Sequence, residues 1–128
     1  MIYGRAEDCA YVIALFSGYE DGIDNGEEYF YTGAGGRDLS GNERTAKQSR
    51  DQRLEASSRA LAFSCNAKLD NKNGAEATDW RAGVPIRKIR NYKLRSHSKY
   101  ASIEENRYDC IYKVVKYWPV KCRSGFIV

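Results

Sequence analysis

Four glycines fall within the nine residues from Gly33 to Gly41, and a helix or strand running through them would lose roughly 0.5–1 kcal/mol at each. The stretch Gly33-Ala34-Gly35-Gly36-Arg37-Asp38-Leu39-Ser40-Gly41-Asn42 is therefore loop, in which backbone comes close to something. Regular structure is left to the flanks. Upstream, Ala10 to Leu15 is a continuous apolar run with β-branched members, short enough for a buried strand, and it ends at Phe16-Ser17-Gly18. An acidic loop, Glu20 to Gly26, leads into an aromatic strand, Tyr29-Phe30-Tyr31-Thr32. Downstream, Ala46 to Phe63 is predicted to be helical, with Leu54, Ser58, Leu61 and Ala62 spaced for one face. Gly83 to Ile89 alternates and Tyr108 to Trp118 is rich in Tyr, Ile and Val, so both read as strand, the second closed by Pro119. The sum is an α+β domain of short strands, with a curled or barrel-like sheet and one main helix.

The 128 residues suit one domain. No apolar run approaches the roughly 18 residues of a membrane span, and the start lacks the apolar core of a secretory signal, which predicts an intracellular chain with no membrane partner. Cys9, Cys65, Cys110 and Cys122 stand far apart, with no C-x-x-C pair and no histidine at zinc-ligand spacing; buried free thiols are expected. The net charge of +4 conceals an asymmetry: residues 1–64 hold seven Lys/Arg against eleven Asp/Glu, residues 65–128 fourteen against six. Basic charge is densest where Arg81, Arg87, Lys88, Arg90, Lys93, Arg95 and Lys99 occur with no acid between them. Such a run, interleaved with Tyr92 and Tyr100, fits a polyanion, because Lys and Arg displace counterions condensed on phosphates; its alternative is a solvated loop.

Three catalytic or ligand-binding patterns fail on inspection. A dinucleotide turn starting at Gly33 needs a third glycine where Asp38 stands. A calcium loop starting at Asp21 meets Ile23 at a ligand position and Thr32 in place of its closing glutamate. His97 is the single histidine, in the basic segment and without a visible partner for nucleophilic catalysis. No metal, cofactor or catalytic residue is therefore expected.

Longer motifs carry more. Phe16-Ser17-Gly18-Tyr19-Glu20-Asp21, Tyr31-Thr32 followed by the glycine-rich stretch to Asn42, Asn106-Arg107-Tyr108-Asp109 and Ile111 to Pro119 together resemble the SET- and RING-associated domain, also called the YDG domain. The likeness takes in Asp51-Gln52, Arg59 to Ala62, Gly74 to Glu76 and Asp79 to Arg81, and so nearly the whole chain. It points especially to the domain of animal RING-type ubiquitin ligases that read hemimethylated CpG sites; plant histone methyltransferases carry a more distant version. The resemblance implies a PUA-like curled β-barrel that grips double-stranded DNA and extrudes 5-methylcytosine into a pocket. Tyr19 and Tyr31 match the stacking tyrosines, and Phe16, Ser17, Gly18 and Thr32 match the backbone that hydrogen-bonds the base. Ala34 matches the position beside the base methyl. Asn42-Glu43-Arg44 matches a finger loop entering the major groove, where Arg44 would pair with guanine; Arg37 and Ser40 match phosphate contacts. A nuclear monomer inside a larger ubiquitin ligase or histone methyltransferase, with chromatin proteins as further partners, is implied.

The sequence departs from the family pattern at three points. Gly22 replaces an acid that accepts a hydrogen bond from the cytosine amine, so Asp21 or Asp24 would have to substitute. Cys110 replaces the glycine of the Tyr-Asp-Gly motif. The chain is also expected to be truncated at both ends, without the family's minor-groove thumb and its trailing basic stretch. Two alternatives stay open: a degenerate copy that binds DNA without reading the base or serves as a protein-interaction surface, and the specificity half of a modification-dependent nuclease.

Overall fold

A computed structural model describes residues 1–5, 7–15, 22–37, 48–96 and 98–128. The central sheet has four strands in the order β1-β2-β6-β7, namely β1 (Ile2–Gly4), β2 (Ala10–Leu15), β6 (Ile86–Arg90) and β7 (Arg107–Tyr112). β2 pairs in parallel with β6, while β1 and β7 flank them antiparallel. Two-residue ribbons join β3 (Ile23–Asp24) to β4 (Tyr29–Phe30) and β5 (Ala75–Glu76) to β8 (Lys116–Tyr117). The sheet is mixed and open among the described residues rather than a closed barrel. Register shifts at Tyr3/Gly4 and Arg87/Ile89 bend it, since an extra residue on one strand sharpens the local twist. The α+β class holds, with a curled sheet.

β2 lies where its composition puts it. Ala10, Ile13, Ala14 and Leu15 are buried, as suits an apolar strand between two neighbours. The helix α1 (Ala56–Phe63) packs on β1 and β2 through small residues, with Ser58, Ala60 and Ala62 buried. Eight residues are too few to persist alone, so packing holds it. The buried Ser64 hydroxyl ties its C-terminus to β2 by accepting from the Ala10 N–H at 3.1 Å. Its end is pinned further where the Val84 N–H donates to the Ser64 carbonyl at 3.0 Å.

The helix is shorter than the periodicity suggests. Residues 48–55 are not helical, because tertiary partners claim them: the Gln52 N–H donates to the Ile127 carbonyl and the Ile127 N–H to the Asp51 carboxylate, both at 2.8 Å. The stretch Tyr108 to Trp118 is likewise two strands. After Tyr112 the chain turns away from the central sheet, the Ala77 N–H donates to the Val115 carbonyl at 2.8 Å, and β8 pairs with β5 instead. The aromatic strand after the acidic loop stops at Phe30. All four thiols are free; Cys65 and Cys122 are buried, but Cys9 is half-buried and Cys110, on the edge strand β7, is exposed.

The larger correction concerns the basic run. β6 alternates, and its period of two puts Ile86, Lys88 and Arg90 on the inward face. Lys88 has 0% and Arg90 2% exposure, so two of the seven cations face the interior while Arg81, Arg87, Lys93, Arg95 and Lys99 are exposed.

Candidate nucleic-acid interface

The hairpin β3–β4 organises the candidate site. Ile23 pairs with Phe30 and Asp24 with Tyr29, so Gly22 and Tyr31 are the chain neighbours that flank the open end of the hairpin. Gly22 is exposed and Tyr31 half-buried, its hydroxyl accepting from the Met1 nitrogen at 2.9 Å. Thr32, Gly33 and Ala34 follow directly.

Helix α1 and the segment before it fix that continuation. Ser58 accepts from the Ala34 N–H at 2.9 Å, and the Gln52 amide donates to the Gly33 carbonyl at 3.1 Å. A side chain at position 33 would place its Cβ 2.7 Å from the Gln52 amide oxygen. At Gly36, with φ +73°, it would lie 2.6 Å from the Arg50 carbonyl, a conformation and an approach that glycine alone accommodates. The close approach foreseen for the glycine-rich stretch is therefore to the protein's own chain, at least as far as Arg37, which bridges antiparallel to Gln48.

At its turn end the hairpin is clamped by charge. Asp24 accepts from Arg90 twice, Nε to Oδ2 at 2.6 Å and Nη2 to Oδ1 at 2.8 Å, a bidentate fork. It also takes Lys88 Nζ at 3.2 Å, the Ser98 hydroxyl at 2.8 Å and the Gly26 N–H at 3.1 Å. Arg90 further donates to the Gly26 carbonyl at 2.8 Å and to Asp109, which Arg107 holds from the other side at 3.0 Å. The Lys88 ammonium lies 3.6 Å from the centre of the Tyr29 ring and 4.6 Å from that of Tyr112, two rings meeting edge to face. Burial alone would raise the Asp24 carboxyl, but hydrogen bonds from Arg90, Ser98 and Gly26 and the charge of Lys88 hold it well below the usual carboxylate range. Burial pulls the Lys88 ammonium down to about 8, against the opposing attraction of Asp24.

The structure thus gathers Gly22, Tyr31, Thr32 and Ala34 around one hairpin end, with Arg37 further along the same segment. Phe16, Ser17, Gly18, Tyr19, Ser40, Asn42, Glu43 and Arg44 lie outside the described residues, as do Asp21 and His97. Asp24 is excluded as a ready substitute for an acid at position 22, since five donors already occupy its oxygens. The clamp itself, Asp24 with Lys88, Arg90 and Asp109, escaped the sequence reading. The signal that could have found it is the period of two in β6, which forces Lys88 and Arg90 onto the face of Ile86.

A family model described as the SAD/SRA domain matches residues 1–128. Among curated relatives, E3 ubiquitin-protein ligase UHRF1 of Xenopus laevis is 61% identical over 127 residues, covering 99% of this chain and 16% of that protein. E3 ubiquitin-protein ligase UHRF2 of Homo sapiens is 53% identical over 128 residues, with the same coverage of each. Among solved structures, a modification dependent TagI restriction endonuclease superposes with a TM-score of 0.74 at 33% identity, over 97% of this chain and 36% of that one. KRYPTONITE in complex with mCHG DNA and SAH gives a TM-score of 0.62, also at 33% identity, over 93% and 21%.

Proposed function

This chain belongs to the SAD/SRA domain family, and from that premise we propose that it is a non-catalytic DNA-binding module that takes the 5-methylcytosine of a hemimethylated CpG between Tyr19 and Tyr31. The observation that supports the reading is the clamped hairpin, whose open end is flanked in the chain by Gly22 and Tyr31 and which passes straight into the held segment Thr32 to Ala34. An extruded base forfeits stacking and pairing worth a few kcal/mol, and an aromatic wall beside fixed backbone groups is what offsets that loss. One relative was solved with mCHG DNA, and the action of another depends on modification, which supports a modified duplex as partner. The exposed Arg81, Arg87, Lys93, Arg95 and Lys99 supply sequence-independent affinity for phosphates, joined by Arg37 and Ser40, while Asn42-Glu43-Arg44 enters the groove with Arg44 toward guanine.

The chain spans 16% of the length of the curated relatives it matches. Within that reading it is a nuclear, monomeric module of a larger E3 ubiquitin ligase, its host brought to chromatin by methylated DNA. The deciding measurement is fluorescence anisotropy with matched unmethylated, hemimethylated and fully methylated duplexes; tightest binding to the hemimethylated one is expected, and equal binding to all three rejects base reading.

Salt dependence checks the electrostatic half. Several phosphate contacts predict a log–log slope of affinity against salt of about −3 or steeper. A flat response removes nucleic acid as the ligand.

The saturation of Asp24 favours a pocket that holds its base by stacking, with no acceptor at position 22 for the exocyclic amine. Gly22→Asp is therefore expected to tighten binding to the hemimethylated duplex by about ten-fold, the worth of one charged hydrogen bond to a desolvated donor, and to tighten unmethylated binding less. Unchanged affinities in a folded variant would mean that Asp21 already fills the role or that no base enters. Loss of methyl preference in Asp21→Ala identifies the first case.

A further inference from the structure

Two cations placed inside a small domain call for a reason, because removing a charge from water costs several kcal/mol before any partner is found. Lys88 and Arg90 meet that cost with Asp24, and Asp24 belongs to the hairpin that carries the candidate pocket. Arg90 alone joins three separate parts of the chain: β3 through Asp24, the hairpin turn through the Gly26 carbonyl, and β7 through Asp109. Ser98 joins a fourth, the end of the basic segment, and the Tyr100 ring packs against Gly26, where a Cβ would lie 2.9 Å from the ring and the φ of +86° itself favours glycine. The two-residue ribbon β3–β4 has few hydrogen bonds of its own and is marginal in isolation. Its place over the sheet is set by this cluster.

We propose that Arg90, Lys88, Asp24 and Ser98 are positioning residues for base capture: by clamping the turn end of the β3–β4 hairpin to β6 and β7 they fix where Gly22 and Tyr31 stand. The inference rests on the reading that a modified base enters beside Tyr31. It assigns the most buried part of the basic run to pocket geometry and leaves the exposed part to phosphate attraction. None of the four touches the base in this role; each acts through the hairpin.

The test uses Arg90→Lys, which keeps the buried charge but cannot reproduce a fork reaching Asp24, Gly26 and Asp109 together. Anisotropy with hemimethylated and unmethylated duplexes is measured beside hydrogen–deuterium exchange across residues 29–34. A fall of about five-fold or more in methyl preference is expected, as for loss of charged hydrogen bonds that order a site, with unmethylated binding and its salt slope unchanged and exchange faster at Tyr31 to Ala34. A purely structural role would lower the denaturation midpoint but leave the preference of the folded fraction untouched. That result overturns the inference, whatever exchange does. Should Arg90→Lys fail to fold, Ser98→Ala, which removes the hydroxyl's hydrogen bond to Asp24 and the one it accepts from the Tyr100 N–H, takes its place with an expected loss of about two- to three-fold, and full preference there overturns the inference equally. A wild-type protein without methyl preference is a different result: it removes the reading on which the inference rests.

Discussion

Replacing Asp24 with alanine is expected to lower the free energy of unfolding by about 3–5 kcal/mol, the cost of leaving a buried ion cluster uncompensated. Lys88 and Arg90 are both almost fully buried and share this carboxylate, and of these two cations Asp109 reaches only Arg90. Urea denaturation reads the effect as a lower midpoint at similar slope. Asp24→Ala combined with Lys88→Met should recover part of the loss, since one stranded cation is gone and a methionine fills the space between Tyr29 and Tyr112. The pH dependence follows from the same pair. The folded Asp24 carboxyl lies below its ordinary value of 3.8, so its contribution is complete above that value and is lost as pH falls below it. Lys88 acts in the other window: its folded value of about 8 lies under the ordinary 10.5, the unfolded chain binds more protons between them, and stability from this group rises with pH across that range. Lys88→Met should flatten the alkaline rise and Asp24→Ala the acid fall; an acid limb identical in wild type and Asp24→Ala would mean that the clamp contributes nothing.

Tyr31→Ala and Tyr19→Ala are each expected to abolish the preference for methylated DNA, a loss of about 1–3 kcal/mol or roughly five- to 150-fold, while salt-sensitive background binding persists. Tyr31→Phe separates ring from hydroxyl. It gives up the hydrogen bond to the Met1 nitrogen but keeps the stacking face, and should retain most of the preference. Preference that survives both alanine variants places the base elsewhere.

Much of this was legible in the residues. The apolar run from Ala10 to Leu15 became β2 without adjustment, because a central strand's burial and its hydrophobicity are the same fact stated twice. As far as Arg37, the glycine-rich loop was legible as loop and as a place of close approach, though not that Gln52, Ser58 and Arg50 are what it approaches. The helix start was not legible, since the good helix former Gln52 is held outside the helix by a partner segment at Ile127. Charge misled most. The seven cations are not one surface, because the strand period turns every second residue of β6 inward; Lys88 and Arg90 are structural and their neighbour Arg87 is exposed. Of the site, family motifs pointed to Tyr31, Thr32 and Ala34, which follow directly on the β3–β4 hairpin. They could not indicate that Asp24 is already occupied, because that depends on partners from residues 88, 90 and 98.

The parallel pairing at the centre of the sheet sets how this domain must come into being. Val12 lies beside Arg87, so this parallel pair cannot form until β6 has been synthesised and a long loop has closed. Closure entropy grows slowly with length, but non-local pairing of this kind is what makes folding slow. The halves that must meet carry opposite charge, −4 before residue 65 and +8 from it onward. Their mutual attraction draws β2 toward β6 during the search and weakens as ions screen it, so the refolding rate should fall with rising salt. An assembly tuned in this way reaches its native state fastest in dilute buffer, before any duplex is present to compete for the basic half.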